Sequence, residues 1–220
     1  QAQARGLAAN RSAETDIEAM RNLARLPGTA IELERMRVSL GASAQTLFTG
    51  ARATETQLRA TDLRNVRVIA FATHGLIAGE AGMSEPGLVL TPPETPSADD
   101  DGYLAASEVA TLRLNADWVI LSACNTATGD SGAADGLGSL ARAFFYAGAR
   151  GLLASHWPVS DAVAPIVTVR ALELEQSGMA QAEAFQQAMR DIRNDPRADA
   201  GVSWAHPFFW APFVLIGDGG

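Results

Sequence analysis

Short apolar runs and amphipathic stretches alternate along most of this chain of 220 residues. The apolar runs have the length of β-strands and lie at residues 44–48, 66–72, 87–90, 117–123, 151–155 and 212–216. Apolar residues at helical spacing predict helices within residues 1–26 and at about 29–40, 54–63, 107–112, 135–147, 160–176 and 180–193. Because strands alternate with helices, the pattern predicts an α/β fold with a mostly parallel central sheet covered on both faces, a three-layer α/β/α sandwich.

Local signals predict where two of these helices begin and where a loop interrupts the pattern. Pro27-Gly28 breaks the first helical stretch. Thr29-Ala-Ile-Glu32 and Thr54-Glu-Thr-Gln57 have the capping-box pattern, in which two side chains satisfy the first backbone N–H groups of a helix. The segment 91–102 is rich in proline and acidic residues, which predicts an exposed, mobile loop where proteolytic cutting would be tolerated.

Composition narrows the class of protein. Hydrophobic residues make up 47% of the chain, which is ordinary for a globular domain, and no apolar run is long enough for a membrane span. The formal net charge is −8 and all 17 basic residues are arginine, so nucleic acid is not an expected partner. The single cysteine excludes an internal disulfide and a multi-cysteine zinc site, and it suggests a reducing compartment such as the cytoplasm. No cofactor or metal is expected.

Two reactive side chains follow two of the predicted strands. His74 comes just after the run 66–72, and Cys124 follows the run 117–123. Because the carboxyl ends of parallel strands meet at one edge of a sheet, neighbouring strands would bring the thiol and the imidazole together. The imidazole can then take the thiol proton to make a nucleophilic thiolate. The backbone N–H groups of Gly75 and Cys124 are candidates to hold the oxygen of a tetrahedral intermediate.

The same two residues also have a structural interpretation. A lone cysteine at the end of a buried strand is often a small core residue, and a histidine before glycine is often part of a turn. The positions of Cys124 and His74 relative to the strands do not separate this interpretation from nucleophilic catalysis. Both alternatives stay open at this level.

Longer motifs resemble those of a known family. They are Phe-Ala-Thr-His-Gly at 71–75, Val-Ile-Leu-Ser-Ala-Cys-Asn-Thr-Ala at 119–127, Gly-Leu-Gly-Ser-Leu-Ala-Arg-Ala-Phe-Phe-Tyr-Ala-Gly-Ala-Arg at 136–150, Ala-Ser-His-Trp-Pro-Val at 154–159 and His-Pro-Phe-Phe-Trp-Ala-Pro-Phe-Val-Leu-Ile-Gly at 206–217. In this order they resemble the CHAT family of bacterial caspase-like domains, related to caspases and separases. The resemblance implies a caspase-haemoglobinase-like fold and a cysteine endopeptidase. It makes His74 the base, Cys124 the nucleophile, and the N–H groups of Gly75 and Cys124 the oxyanion hole.

The resemblance also implies a specificity pocket. The segment 157–161 is similar to one that lines this pocket in separases, where an acidic residue binds the arginine that precedes the scissile bond. We call the substrate residue that directly precedes the scissile bond the cleavage-site residue. Carried over, Asp161 would bind Arg or Lys as the cleavage-site residue. Trp157 would form an apolar wall, and Ser122 and Ser155 would border the pocket.

Other assignments compete with these. Ser160-Asp161 also fits the start of a helix, where acidic residues are common for electrostatic reasons. Asp130 and Asp135 are weaker candidates for the acid of the pocket. His156 and His206 are weaker candidates for the base, because neither follows a strand in a His-Gly turn.

The resemblance extends from about residue 27 to the end of the chain. We therefore expect residues 1–26 to be a helical remnant or linker and residues 27–220 to form the caspase-like domain, possibly without its first strand or strands. A regulatory N-terminal region or a partner chain, such as tetratricopeptide repeats, is expected beside a protein or peptide substrate. The predicted setting is bacterial signalling or defence in the cytoplasm. The alternatives are a catalytically inactive interaction module on the same fold and a small-molecule cysteine hydrolase.

Overall fold

The computed structural model describes residues 17–97, 99–122, 134–157 and 159–217, and for residues 134–137 the backbone alone. The strands are β1 (Val68–Phe71), β2 (Gly75–Leu76), β3 (Gly87–Val89), β4 (Tyr103–Ala105), β5 (Trp118–Leu121), β6 (Gly151–Ser155), β7 (Ala198–Asp199), β8 (Val202–Ser203) and β9 (Phe213–Gly217). The α-helices are α1 (Pro27–Ser39), α2 (Glu55–Ala60), α3 (Ala106–Val109), α4 (Ala134–Ala147), α5 (Ala164–Gln176), α6 (Gln181–Arg193) and α7 (Pro207–Trp210). Residues 17–21 are also helical.

A four-stranded sheet in the order β1-β5-β6-β9 forms the centre of the domain. β1, β5 and β6 run parallel to one another, and β9 runs antiparallel to β6. Every residue of β5 and β6 is buried, as expected for strands that are covered on both faces. The sequence-based expectation of an α/β fold with a mostly parallel sheet is confirmed.

Alternate residues of these strands face two separate hydrophobic layers, because successive side chains of a strand point to opposite faces. One layer packs Phe71, Val119, Leu121 and Leu152 against Leu140 and Phe144 of helix α4. The other packs Trp118, Ile120 and Leu153 against helices α1, α5 and α6, through residues such as Met36, Val167 and Phe185. Helices therefore lie on both faces of the central sheet.

A second, smaller sheet is formed by the chain between β1 and β5. Its strands β2, β3 and β4 pair antiparallel in that order. Ile17 and Met20 of the N-terminal helical stretch pack against Leu76, Val89 and Tyr103 of this sheet in a third hydrophobic cluster. The sequence predicts β3, which lies within the apolar run 87–90, but neither β2 nor β4. The two residues of β2 are too few to show a periodic pattern.

Helix α1 begins three residues earlier than the capping-box pattern predicts, because its N-cap is Leu26 instead of Thr29. Pro27 stands in its first turn, where a missing backbone N–H leaves no hydrogen bond unmade and the fixed φ suits the helix. The hydroxyl of Thr29 donates to the carbonyl oxygen of Leu26 at 2.8 Å. The predicted capping box at 29–32 is therefore wrong, whereas Thr54 does cap helix α2 by accepting a hydrogen bond from the backbone N–H of Gln57.

Two further segments differ from expectation. Residues Ala44–Thr46 form a 3₁₀ turn instead of a strand, because the hydroxyl of Ser43 accepts from the backbone N–H of Gln45 at 3.3 Å and bends the chain. The acidic loop 91–102 is exposed at residues 94–97, but it is held at both ends. Thr91 donates its backbone N–H to Ala53 at 2.8 Å, and Glu55 accepts the backbone N–H of Gly102 at 2.9 Å.

Candidate active site

The carboxyl ends of β1 and β5 form the edge of the sheet at which the sequence predicts the catalytic pair. Phe71 and Leu121, the last residues of these strands, are direct partners in the parallel ladder. The ladder continues for one residue, because the backbone N–H of Ser122 donates to the carbonyl of Phe71 at 2.8 Å. Cys124 lies outside the described residues. Its predicted roles as nucleophile and oxyanion donor therefore stay predictions.

His74 is half-buried and held by hydrogen bonds on its side chain and its backbone. Its Nε2 atom lies 2.7 Å from the carbonyl oxygen of Ala24. Because a carbonyl can only accept, this contact requires the proton to be on Nε2, which leaves Nδ1 as the basic nitrogen. The carbonyl of His74 accepts the backbone N–H of Val89 at 2.8 Å, so the second sheet fixes the main chain on which the imidazole is carried.

Gly75 directly follows His74 and begins strand β2. It is buried and pairs with Leu88 of β3. The second sheet therefore fixes the peptide unit between His74 and Gly75 as well as the histidine itself. The proposed use of the Gly75 N–H in an oxyanion hole stays a prediction.

Ser122 makes a hydrogen bond to a carboxyl group that the sequence-based interpretation assigned to a helix cap. Its hydroxyl donates to Glu32 Oε1 at 2.6 Å, and the Glu32 side chain is buried. Burial in a medium that solvates charge poorly raises the pKa of Glu32 to about 7, although the hydrogen bond from Ser122 partly opposes this change. A buried acid with a pKa near neutrality thus contacts Ser122, which precedes Cys124 by two residues in the chain.

Asp161 is exposed and lies against the first turn of helix α1. A Cβ atom added at Gly28 would come within 2.6 Å of Asp161 Cγ, so only a glycine permits this approach. Helix α5 begins at Ala164, three residues after Asp161, and Val163 is its N-cap. Asp161 therefore lies in the turn that precedes the helix. The competing interpretation of Ser160-Asp161 as a capped helical start has support, because the Ser160 hydroxyl accepts the backbone N–H of Ala162 at 3.2 Å and the Ser160 carbonyl accepts that of Ala164 at 3.0 Å.

The other predicted pocket residues lie at the end of β6 and just beyond it. Ser155 is the buried last residue of β6 and pairs with Phe213 of β9. Trp157 is half-buried, and its indole N–H donates to the carbonyl of Phe208 at 3.3 Å. Ser122, Ser155, Trp157 and Asp161 thus all belong to the carboxyl edge of the sheet, although their roles in substrate binding stay predictions.

An open groove of about 830 Å³ borders Asp161. It is lined by the turn 159–162, by Asp199 and Val202 of the β7–β8 hairpin, and by Phe208 and Phe209 of helix α7. Phe208 and Val202 are exposed, which is uncommon for large apolar side chains. A groove that combines carboxylates with apolar surface suits an extended peptide better than an enclosed small molecule.

The weaker candidates differ in where they lie. His156 is exposed, and the Nδ1 atom of His206 accepts the backbone N–H of Phe208 at 3.2 Å, which uses that nitrogen to cap helix α7. Asp130 and the side chain of Asp135 lie outside the described residues. No group of three or more potential ligands in the described part of the chain is arranged to hold a metal ion.

Sequence reasoning missed two groups at this edge. The carbonyl of Ala24 is a backbone group, so the residue type at this position does not indicate that it accepts a hydrogen bond from His74. Glu32 did leave a signal, because it lies four residues before the buried Met36 and therefore on the same, buried face of helix α1. A carboxyl group on the buried face of a helix indicates that a specific polar group pairs with it, because acidic residues are rarely buried without a partner.

Comparison with known proteins supports the fold and the motifs. Tetratricopeptide repeat protein 28 of mouse is 32% identical over 114 residues, which are 52% of this chain and 4% of that protein. The human protein of the same name is 31% identical over the same extent. The chain thus spans a small fraction of the length of these relatives. None of the helices described above combines the length and the apolar character that crossing a bilayer requires. The family model of the CHAT domain matches residues 1–218, so the chain belongs to this caspase-like family.

Proposed function

We propose that this chain is a cysteine endopeptidase that hydrolyses peptide bonds of protein substrates through Cys124 and His74. The observation that carries the proposal is the hydrogen bond from His74 Nε2 to the carbonyl of Ala24, at 2.7 Å. It fixes the tautomer in which Nδ1 has a basic lone pair. A histidine with one nitrogen held and the other basic is suited to activate a thiol.

The register of the central sheet supports the pairing of these two residues. Phe71 pairs with Leu121 in the parallel ladder, and His74 and Cys124 follow these two partners by three residues each. Neighbouring strands are about 4.8 Å apart. Two side chains that follow adjacent strands by the same number of residues begin close to one another. Family membership supports the same assignment.

In the proposed reaction, His74 Nδ1 takes the proton of the Cys124 thiol, and the thiolate attacks the carbonyl carbon of the scissile bond. The N–H groups of Gly75 and Cys124 hold the negative oxygen of the tetrahedral intermediate. The intermediate collapses to a thioester while the imidazolium gives its proton to the leaving amine. Water, deprotonated by His74, then attacks the thioester, releases the carboxylic acid and restores the thiol.

Asp161 and its surroundings support cleavage after Arg or Lys. The carboxylate is exposed beside an open groove, so a cationic side chain can reach it. A guanidinium can bind such a carboxylate with two parallel hydrogen bonds. Trp157, Ser122 and Ser155 complete the proposed pocket. The same open groove favours a peptidase over a small-molecule hydrolase.

The proposal includes a regulated setting. The similar relatives are tetratricopeptide repeat proteins by name, and repeats of this kind are the proposed regulatory region or partner. The single cysteine suggests a reducing compartment, so we assign the proposed enzyme to the cytoplasm, in bacterial signalling or defence.

Covalent labelling tests the proposed function. An arginine-directed covalent probe for cysteine peptidases should label the wild-type chain at Cys124. It should label neither Cys124→Ala nor, at neutral pH, His74→Ala, because the second variant has no base to form the thiolate. A general thiol alkylator serves as the control for access to Cys124.

The outcomes separate the alternatives. The Cys124 thiol could be accessible to the alkylator and yet react with the arginine-directed probe equally in wild type and His74→Ala. Cys124 and His74 would then not act together, and an interaction module would be the better description. Labelling by a small acyl probe but by no peptide probe would favour a small-molecule hydrolase.

A further inference from the structure

Two carboxyl groups from distant parts of the chain converge beneath the proposed pocket. Gly28 and Glu32 are four residues apart in helix α1, so they lie on one face of it. Asp161 packs against Gly28, since an added Cβ there would lie 2.8 Å from Asp161 Oδ2. Glu32 reaches Ser122 at 2.6 Å on the same side of the sheet. The turn after β6 and the middle of α1 thus bring one exposed and one buried acid together.

Neither carboxyl group has a cationic partner among the described residues. The segments packed against Glu32 present Ser122 from just after β5, Thr168 from α5 and Asp161 from the turn after β6. Of these described groups only Asp161 is charged, and its negative charge makes ionisation of Glu32 harder. Among these described groups, no positive charge balances the carboxyl groups of Glu32 and Asp161.

Burial, rather than hydrogen bonding, keeps a proton on Glu32. Burial is the main cause that raises its pKa to about 7, and the negative charge of Asp161 acts in the same direction, whereas the hydrogen bonds with Ser122 and Thr168 partly oppose this rise. A positive charge beside Asp161 would therefore favour the ionised form of Glu32.

Building on the proposed endopeptidase, we infer that Glu32 is a positioning residue for a cationic cleavage-site residue: it orients the Ser122 hydroxyl and ionises when an Arg or Lys side chain enters beside Asp161. The guanidinium or ammonium binds Asp161 directly, and the lone pairs of Ser122 Oγ accept from it, because the Ser122 proton points to Glu32. The proton that leaves Glu32 passes to solvent.

Binding of a cationic side chain is therefore linked to the release of a proton. Preference for arginine over its neutral isostere citrulline should increase with pH, because the cation favours the ionised form of Glu32. A cation that lowers the pKa of Glu32 from about 7 to about 6 gives about a fivefold increase in this preference between pH 6 and pH 8. The ionisation of Cys124 and His74 affects both peptides alike and cancels in the ratio.

The first experiment measures kcat/KM from pH 6 to pH 8 for two peptides that differ only in arginine or citrulline as the cleavage-site residue. The wild-type ratio should rise about fivefold. In Glu32→Gln, which keeps an acceptor for Ser122 but cannot ionise, the ratio should be lower at pH 8 and independent of pH. Glu55→Gln is the matched control, because Glu55 is also buried with its pKa raised to about 7, but it binds the acidic loop.

The second experiment measures binding without catalysis. The arginine peptide is titrated calorimetrically into Cys124→Ala in two buffers with different ionisation enthalpies, which gives the number of protons released. We expect Cys124→Ala to release a substantial fraction of one proton near pH 7 when it binds the peptide. The double variant Cys124→Ala, Glu32→Gln should not release this proton. If the double variant does not fold, Ser122→Ala with Cys124→Ala tests the same link through the hydroxyl.

These outcomes keep the inference and the proposed function apart. Cleavage after arginine with a ratio that depends on pH equally in wild type and Glu32→Gln would overturn the role of Glu32 and leave the peptidase intact. Equal use of arginine and citrulline by the wild type would overturn the cationic pocket. Absence of both cleavage and binding would overturn the proposed function and, with it, the inference.

Discussion

The Nε2 atom of His74 lies 2.7 Å from the carbonyl oxygen of Ala24, a residue 50 positions earlier in the chain. The carbonyl belongs to the segment that connects the helical residues 17–21 to helix α1. That segment is anchored by Ile17 and Met20 on the small sheet and by a hydrogen bond from Arg21 to the carbonyl of Pro93 at 2.8 Å. The orientation of the proposed base thus depends on a part of the chain outside the central sheet.

The first prediction concerns this anchor. Met20→Ala should lower kcat roughly tenfold with little change in KM, because a loosened segment no longer holds Nε2 and the imidazole loses its productive orientation. The central sheet should remain folded, since Met20 packs in the third cluster and belongs to neither of the two hydrophobic layers that cover that sheet. Peptide hydrolysis and near-UV circular dichroism measure the two effects. Ile31→Ala, at an exposed position of α1, is the control, and an equal loss in both variants would contradict the anchor.

A second prediction tests Asp161 directly. Asp161→Ala should reduce kcat/KM for the arginine peptide by roughly a hundredfold and leave the citrulline peptide nearly unaffected, because one charged contact is lost and only arginine uses it. Asp161→Asn separates charge from shape. Profiling with a peptide library measures the preference. A variant that still prefers Arg or Lys would show that another acid fills this role.

Much of the central architecture could be predicted from residue patterns. The strands β1, β5 and β6 are apolar on both faces, and helices α4 to α6 show helical spacing, so burial itself leaves a pattern in the sequence. The two-residue strand β2 leaves no such pattern, although it directly follows His74, the proposed base. Its position depends on pairing with residues that are distant in the chain.

Candidate site residues could be chosen from the sequence where side chains follow strands. His74 and Cys124 could be chosen because reactive residues at carboxyl ends of neighbouring parallel strands converge. Glu32 was assigned to a capping box because Thr29 precedes it by three residues, and the pattern took no account of Pro27 as a helix start. Tertiary contact with Ser122, 90 residues away, decided its orientation.

The third prediction concerns stability and pH. Glu32 ionises near pH 4.5 when unfolded and near pH 7 when folded, so the folded state holds more protons between these values. Stability should therefore decrease as the pH rises from about 4.5 through about 7, by roughly 3 kcal/mol for a group so deeply buried. Glu32→Gln should remove the loss of stability that the ionisation of Glu32 causes. The variant should therefore be more stable than wild type by about 1–3 kcal/mol at pH 8.

Urea unfolding of both proteins at pH 5 and pH 8 measures this difference. Glu55, whose pKa burial also raises to about 7, contributes a further decrease that the variant retains. The difference between the proteins should thus grow with pH while both still lose stability. An equal loss in wild type and variant would mean that Glu32 ionises at the same pH in the folded and unfolded states.

The fourth prediction concerns the close approach of α1 to Asp161. Gly28→Ala should lower kcat/KM for the arginine peptide roughly tenfold, because the new Cβ would lie 2.6 Å from Asp161 Cγ and must displace the carboxylate. Gly138→Ala adds the same methyl group in helix α4, where the new Cβ would meet no other element among the described residues within 4 Å. This control should gain about 0.4–1 kcal/mol of stability and retain its preference for arginine. Equal kinetics of both variants would argue against the contact.

The last prediction concerns the acidic loop. Asp100 Oδ2 accepts hydrogen bonds from the hydroxyl of Thr56 and, at 3.2 Å, from its backbone N–H, while Oδ1 is buried without a hydrogen-bond partner among the described residues. Thr56→Val should destabilise the protein by about 1–3 kcal/mol, since a buried carboxylate loses its best donor. It should also accelerate cutting at the exposed Glu94 by a glutamate-specific protease, because local opening of the loop becomes easier.

Thr61→Val is the matched control for this change. It removes a hydroxyl that donates to the carbonyl of Gln57 at 2.8 Å, at the end of the same helix and away from the loop. Unfolding in urea and the rate of cleavage at Glu94 should therefore change together in Thr56→Val, whereas Thr61→Val should leave the rate of cleavage as in wild type. Equal rates in both variants would mean that Glu55 and its hydrogen bonds to Asp101 and Gly102 hold the loop without help from Asp100.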